Sequence, residues 1–149
     1  MNKLKVFLTL TGYQLTWLAC VFGENKFNEP FLGIYIGLIY LVLFVYFNNQ
    51  KFKFIKISLF ISIPGYTFDT LMVYFSVYEF NSSILIGTIP VWMIILWPSF
   101  STLFDEILVF FKKYSLFGII LSSFLGTVTY FLGEFIDVIS INNYFLFFI

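Results

Sequence analysis

Asp69 is the one charged residue in the 22-residue stretch from Ile57 to Tyr78, and it stands about two residues from the middle of it. In the centre of a membrane helix an aspartate costs roughly 2.5 to 3.5 kcal/mol. The ten Leu, Ile, Val and Phe residues between Ile57 and Val77 offset this by roughly 3 to 6 kcal/mol, at about 0.3 to 0.6 each, and Pro64 and Gly65 narrow the margin. Asp69 is therefore expected to face the interior of a helix bundle. There it could exchange a proton, hold a cation or act as a general acid or base. Equally, it could be a hydrogen-bonded carboxyl that ties helices together.

Gln14 lies near the middle of another neutral stretch, with Trp17 three residues on and so on the same helical side. Gln14 is a candidate partner for Asp69, and these two are the candidate catalytic residues; the alternative for Gln14, and the favoured one, is a hydrogen bond that glues helices together, contributing about 1 kcal/mol or less. At about 1.5 Å per residue, Gln14, Asp69 and Trp92 all fall within about 3 Å of the midpoints of their stretches. Trp17, Trp92, Trp97, Thr102 and Tyr130 are candidate substrate-binding residues; as interhelical packing and interfacial anchors they need no ligand. Pro98 removes a backbone donor and frees the carbonyl of Ile94, which needs a new partner in lipid. Asp105 and Glu106 could pair with Lys112 and Lys113, and two adjacent acids alone do not specify a metal site.

These residues need elements to hold them, and the composition says which kind. Of 149 residues 60% are hydrophobic and 11% charged, with mean hydropathy +0.96, which excludes an ordinary water-soluble domain. Eight lysines balance eight acids, arginine and histidine are absent, and no basic groove for nucleic acid can be formed. One cysteine excludes an internal disulfide, and without histidine the usual zinc, haem and iron ligand sets are missing. No metal or other cofactor is expected.

Membrane helices need about 20 apolar residues, and five intervals qualify: Val6 to Gly23, Pro30 to Gln50, Ile57 to Tyr78, Phe80 to Phe104 and Tyr114 to Gly133. The expected fold is an all-α membrane protein, a single domain over residues 1–149 built as a bundle of five transmembrane helices. Seven of the eight lysines fall on alternate loops, which puts the N-terminus in the cytoplasm and the C-terminus outside. The first span could instead be a cleaved signal ending at Trp17-Leu18-Ala19-Cys20, but Tyr13 and Gln14 interrupt its apolar core. The tail from Val138 to Ile149 is too short to cross and too apolar for water, so it should lie in the outer interface or pack on the bundle. Gly33 and Gly37, and Gly118, Ser122 and Gly126, are small residues at fourfold spacing that permit close helix approach. No internal repeat is evident.

The ordered set Tyr13-Gln14-Leu15-Thr16-Trp17, Gly65 with Asp69, Pro90-Val91-Trp92-Met93 through Leu96-Trp97 to Thr102-Leu103, and Gly126 with Tyr130 and Gly133 resembles a bacterial inner-membrane family filed as domain of unknown function 2878. The likeness spans nearly the whole chain. The family's His-Ser pair is replaced here by Asp105 and Glu106, and its Gly-Pro by Gly126-Thr127, so nothing resting on that histidine or proline carries over. The resemblance implies a place in the bacterial inner membrane and, from the genes that neighbour some relatives, a role in fatty-acid modification.

Three functions follow as expectations. The chain could serve membrane lipid or fatty-acyl modification, with Asp69 and Gln14 as its polar site and a lipid as substrate. It could be a small proton-coupled transporter, which would call for a homo-oligomer because five short helices enclose little volume. It could be a structural partner in a membrane protein complex.

Overall fold

The computed structural model describes residues 3–106 and 126–147. Helix α1 (Lys3–Phe27) is followed by α2 (Leu32–Phe47) and α3 (Lys51–Tyr74), then by short strands β1 (Tyr78–Phe80), β2 (Leu85–Ile86) and β3 (Ile89–Pro90). Helix α4 (Met93–Glu106) comes next, then α5 over residues 126–135, β4 (Ile139–Ile141) and the single turn α6 (Tyr144–Phe147). Lys112, Lys113, Gly118, Ser122 and most of the expected fifth span lie outside the described residues.

Glycine lets α1 and α2 close on each other. A Cβ at Gly33 would sit 2.5 Å from the Cys20 backbone, and one at Gly37 would meet Ile95 and Thr16. At the far end the Tyr40 hydroxyl donates to the Thr9 carbonyl at 3.1 Å and lies 2.7 Å from Thr102 Oγ1. These pairings make α1 and α2 antiparallel and set α4 across both. They gather the lysine-bearing start of α1 and the Lys51, Lys53 and Lys56 turn at one end. Glu24, Glu29, Glu79, Glu134 and Asp137 collect at the other.

Polar side chains are buried among the apolar core of Cys20, Val77, Trp92, Met93, Ile95 and Ile139. Thr16, Asp69, Ser99, Ser101 and Thr102 are fully buried, whereas Phe52 is 84% exposed and Phe60 80%. Three of these hydroxyls settle on local carbonyls, Thr16 on Gly12, Ser101 on Pro98 and Thr102 on Ser99, as helical Ser and Thr do, while the Ser99 hydroxyl has no hydrogen-bond partner among the described residues. Among the described residues two helices, α1 and α3, are long and apolar enough to cross a bilayer, while α2 and α4 are apolar but shorter. Only 17% of the most apolar stretch of α3 is buried, so its hydrophobicity does not serve a protein core.

Three expectations are corrected. The all-α reading misses four short strands among the described residues. The segment Phe80 to Phe104 is not one helix: β2 and β3 form a hairpin (Leu85↔Pro90, Ile86↔Ile89) whose turn has Gly87 at φ +64°, and α4 begins only at Met93. A positive φ at the first of two turn residues is the conformation glycine suits. Finally, α3 starts at Lys51 and stops at Tyr74, because lysines are good helix formers and Ser76 reverses the chain at φ +54°. Asp69 therefore stands near the acidic end of its helix, and Trp92 precedes α4 altogether.

An unexpected repeat appears at that end. After α3, Ser76 N–H donates to the Val73 carbonyl and Val77 N–H to Met72; after α5, Asp137 N–H donates to Glu134 and Val138 N–H to Gly133. Both are Schellman caps with a left-handed residue, Ser76 (φ +54°) and Asp137 (φ +59°), followed by a buried valine. Each cap launches a strand, and the two pair antiparallel about Glu79↔Ser140, flanked by Tyr78↔Ile141 and Phe80↔Ile139. A local twofold through the Glu79↔Ser140 pair relates each residue to its counterpart 61 positions on, as Ser76 to Asp137 and Val77 to Val138, and few sequence identities mark it. The tail thus packs on the bundle through β4 and Phe147.

Candidate functional site

Helix α3 presents Gly65 and Asp69 one turn apart on one side. The Trp97 indole of α4 lies flat enough on Gly65 that a Cβ there would come within 2.4 Å of a ring carbon. From that seat its Nε1–H donates to Asp69 Oδ2 at 2.8 Å. Tyr78 of β1 donates to Oδ1 at 2.7 Å, and the Tyr130 hydroxyl of α5 donates to the same oxygen. The two phenol rings stand 5.1 Å apart, with Phe147 against both. Asp69 has no exposed surface. An indole N–H only donates, so Oδ2 is an acceptor, and any proton on this carboxyl is shared among Oδ1, Tyr78 and Tyr130.

Pro98 frees the Ile94 carbonyl, and the Tyr66 hydroxyl donates to it at 2.7 Å. The freed carbonyl is thereby satisfied from α3, one residue beyond Gly65. This second α3 to α4 bond holds Trp97 in register with Asp69.

A cavity of about 160 Å³ opens beside the carboxyl, walled among the described residues by Tyr13, Trp17, Trp92, Trp97, Phe100 and Tyr130, with Asp69 behind them and the β1–β4 ribbon above. Trp92 is held from outside the cavity: its Nε1–H donates to Glu24 Oε2 at 3.0 Å. Glu24 also receives the hydroxyls of Ser82 and Ser83 and the Ser83 backbone N–H, which fastens the loop before the hairpin to the end of α1. Among the described residues no three His, Cys, Asp or Glu side chains converge on a metal-sized site.

Of the sequence candidates, Asp69, Trp97 and Tyr130 meet in one hydrogen-bonded cluster, and Trp17 and Trp92 join them around the cavity. Thr102 does not line the cavity; it is buried between Ser99 and Tyr40. Gln14 is corrected as the partner of Asp69. It is exposed, because α1 turns Gly12, Thr16 and Cys20 toward α2, and Gln14 is about 200° around the helix from either neighbour two positions away. Tyr13, four residues before Trp17, reaches the cavity instead.

Tyr78 was not foreseen. In an unbroken helix it would lie nine positions beyond Asp69, on the opposite side and about 13 Å away. The reversal at Ser76 folds it back. The signal available was polar: Ser76 followed by Glu79 and Asn81-Ser82-Ser83 marks a chain leaving its helix.

The chain belongs to the family described as protein of unknown function (DUF2878), which matches residues 6–149. No curated protein and no solved structure matches it.

Proposed function

We propose that this chain is a multi-pass protein of the bacterial inner membrane that receives part of a lipid-like molecule in the cavity beside Asp69 and serves membrane lipid or fatty-acyl modification. The observation that carries this reading is the combination of fully buried polar side chains and a largely apolar exterior with an aromatic cavity built on a buried carboxyl. Burying Thr16, Ser99, Thr102 and Asp69 while exposing Phe52, Phe60 and Leu59 is unfavourable in water and natural in lipid. The bundle is read as five membrane crossings with the lysine end in the cytoplasm, following the charge asymmetry. A cavity of about 160 Å³ compares with the roughly 150 Å³ that holds a benzene-sized ligand in a protein interior, so it takes a terminal group or a short chain segment and leaves the rest of a lipid in the bilayer.

A second reading has its own observation: three donors already occupy the Asp69 carboxylate, as they would in a purely structural tie. Lipid profiling separates the two. In a deletion strain complemented with wild type or Asp69→Asn at equal protein levels, the lipid reading expects an altered acyl profile restored by wild type and not by the variant. An unchanged profile in the deletion overturns it.

A further inference from the structure

We infer that the group entering the cavity is an alkylated ammonium, of the kind carried by choline-type headgroups and by small free organic cations. This rests on the reading of the cavity as a ligand site and names its ligand. Trp17, Trp92 and Trp97 with Tyr13 and Tyr130 surround the space, and the Asp69 carboxylate stands behind the wall. Aromatic walls attract cations through the ring quadrupole, and tryptophan does so best. Trp97 and Tyr130 donate their N–H and O–H to Asp69, which pushes electron density into those rings and strengthens the attraction.

The alternatives fit less well. A wholly apolar group has no use for a carboxylate held at the wall. An anion would meet Asp69 with no lysine among the described lining residues to offset it. A neutral hydroxyl ligand needs direct contact, yet Asp69 has no exposed surface; it acts on the cavity through its field, which falls slowly for a full charge and steeply for a dipole. Among the described lining residues a hydrated metal ion would find the buried Asp69 carboxyl and the hydroxyls of Tyr13, Thr129 and Tyr130, fewer side-chain oxygens than its shell requires. The surroundings agree: the end of the molecule that holds the cavity carries Glu24, Glu29, Glu79, Glu134 and Asp137 against Lys26 alone among the described residues, a field that concentrates cations. A trimethylammonium group is close to benzene in size, which suits a cavity of about 160 Å³.

The chain has three tryptophans and all three line the cavity, so intrinsic fluorescence reads this site. The full-length protein in a neutral maltoside detergent is titrated with choline and, separately, with its uncharged carbon isostere 3,3-dimethyl-1-butanol. The expected result is a saturable fluorescence change with choline at least about tenfold tighter than with the isostere, reduced about tenfold in Asp69→Asn for choline alone. Equal affinity for both overturns the cationic ligand and leaves an apolar cavity standing. No response to either overturns the cation and the ligand site together. If Asp69→Asn does not fold, the wild-type pair of titrations still decides. Repeating the choline titration in phosphatidylglycerol bilayers with and without phosphatidylcholine identifies the source: loss of the response in the mixed bilayer assigns the headgroup, and an unchanged response assigns the free cation.

Discussion

Asp69 and Tyr130 stand at equivalent positions, each seven residues before the left-handed residue that caps its helix, and the hydroxyl of the second donates to the carboxylate of the first. Gly65 and Gly126 are equivalent in the same way, four residues earlier. The repeat therefore meets itself at the site, with one arm supplying the charge and the other the donor.

That arrangement makes the two tyrosines interdependent. Tyr78→Phe and Tyr130→Phe each remove a hydrogen bond to a carboxylate and should each lower stability by about 1.5 to 3 kcal/mol. Because both hydroxyls address Oδ1, the double variant should lose less than the sum, and thermal unfolding of the four proteins in detergent measures the difference. Strict additivity would show that the hydroxyls act independently.

Gly65→Ala places a methyl group into the Trp97 indole. Ring carbons cannot yield by so much, so Trp97 must leave its seat and its bond to Asp69. A loss of about 1 to 3 kcal/mol with a red-shifted tryptophan emission is expected. Gly126→Ala, with no described atom within 4 Å of its Cβ position, should be mild by comparison.

Tyr66→Phe strands the Ile94 carbonyl at a cost of about 1 to 3 kcal/mol. Pro98→Ala restores the N–H that the carbonyl lacks. In the Pro98→Ala background Tyr66→Phe should therefore be nearly neutral; an undiminished penalty there would mean that Tyr66 stabilises α4 by other contacts.

Glu24→Gln turns one acceptor oxygen into an amide donor facing the Trp92 indole N–H and two serines. The loop over residues 81–88 should loosen, and limited proteolysis should nick it several-fold faster than in wild type, consistent with local opening governing cleavage. Equal cleavage would show that the hairpin is held by the β2–β3 pairing and the bond from the Val91 N–H to the Ile84 carbonyl.

Much of this was legible in the residues. A lone charge in a neutral run marks Asp69, Pro98 marks the stranded carbonyl, and Gly33 and Gly37 mark the close seam with α1, since each follows from what one residue can or cannot do. The reversal at Ser76 and the hairpin at Gly87 were hidden because apolar content runs on through them, and a count of neutral residues reads over Asn81-Ser82-Ser83. Gln14 misled for the opposite reason: polarity at mid-helix implies an inward face only if the neighbouring helices claim that face, and here they claim Thr16 and Cys20. The site needed both turns, since Trp92 reaches the cavity wall and Tyr78 reaches Asp69 behind it only after the chain reverses.

Cys20 is 2% exposed and Gly33 of α2 closes over its backbone. As the chain's single thiol, it is a native chemical clock for the seam between the first two helices. An alkylating reagent can reach it only when that seam parts, so the rate of labelling reads the frequency of opening with no introduced label. Any occupant of the cavity that stiffens Trp92, whose carbonyl faces the thiol at 3.9 Å, should slow the clock.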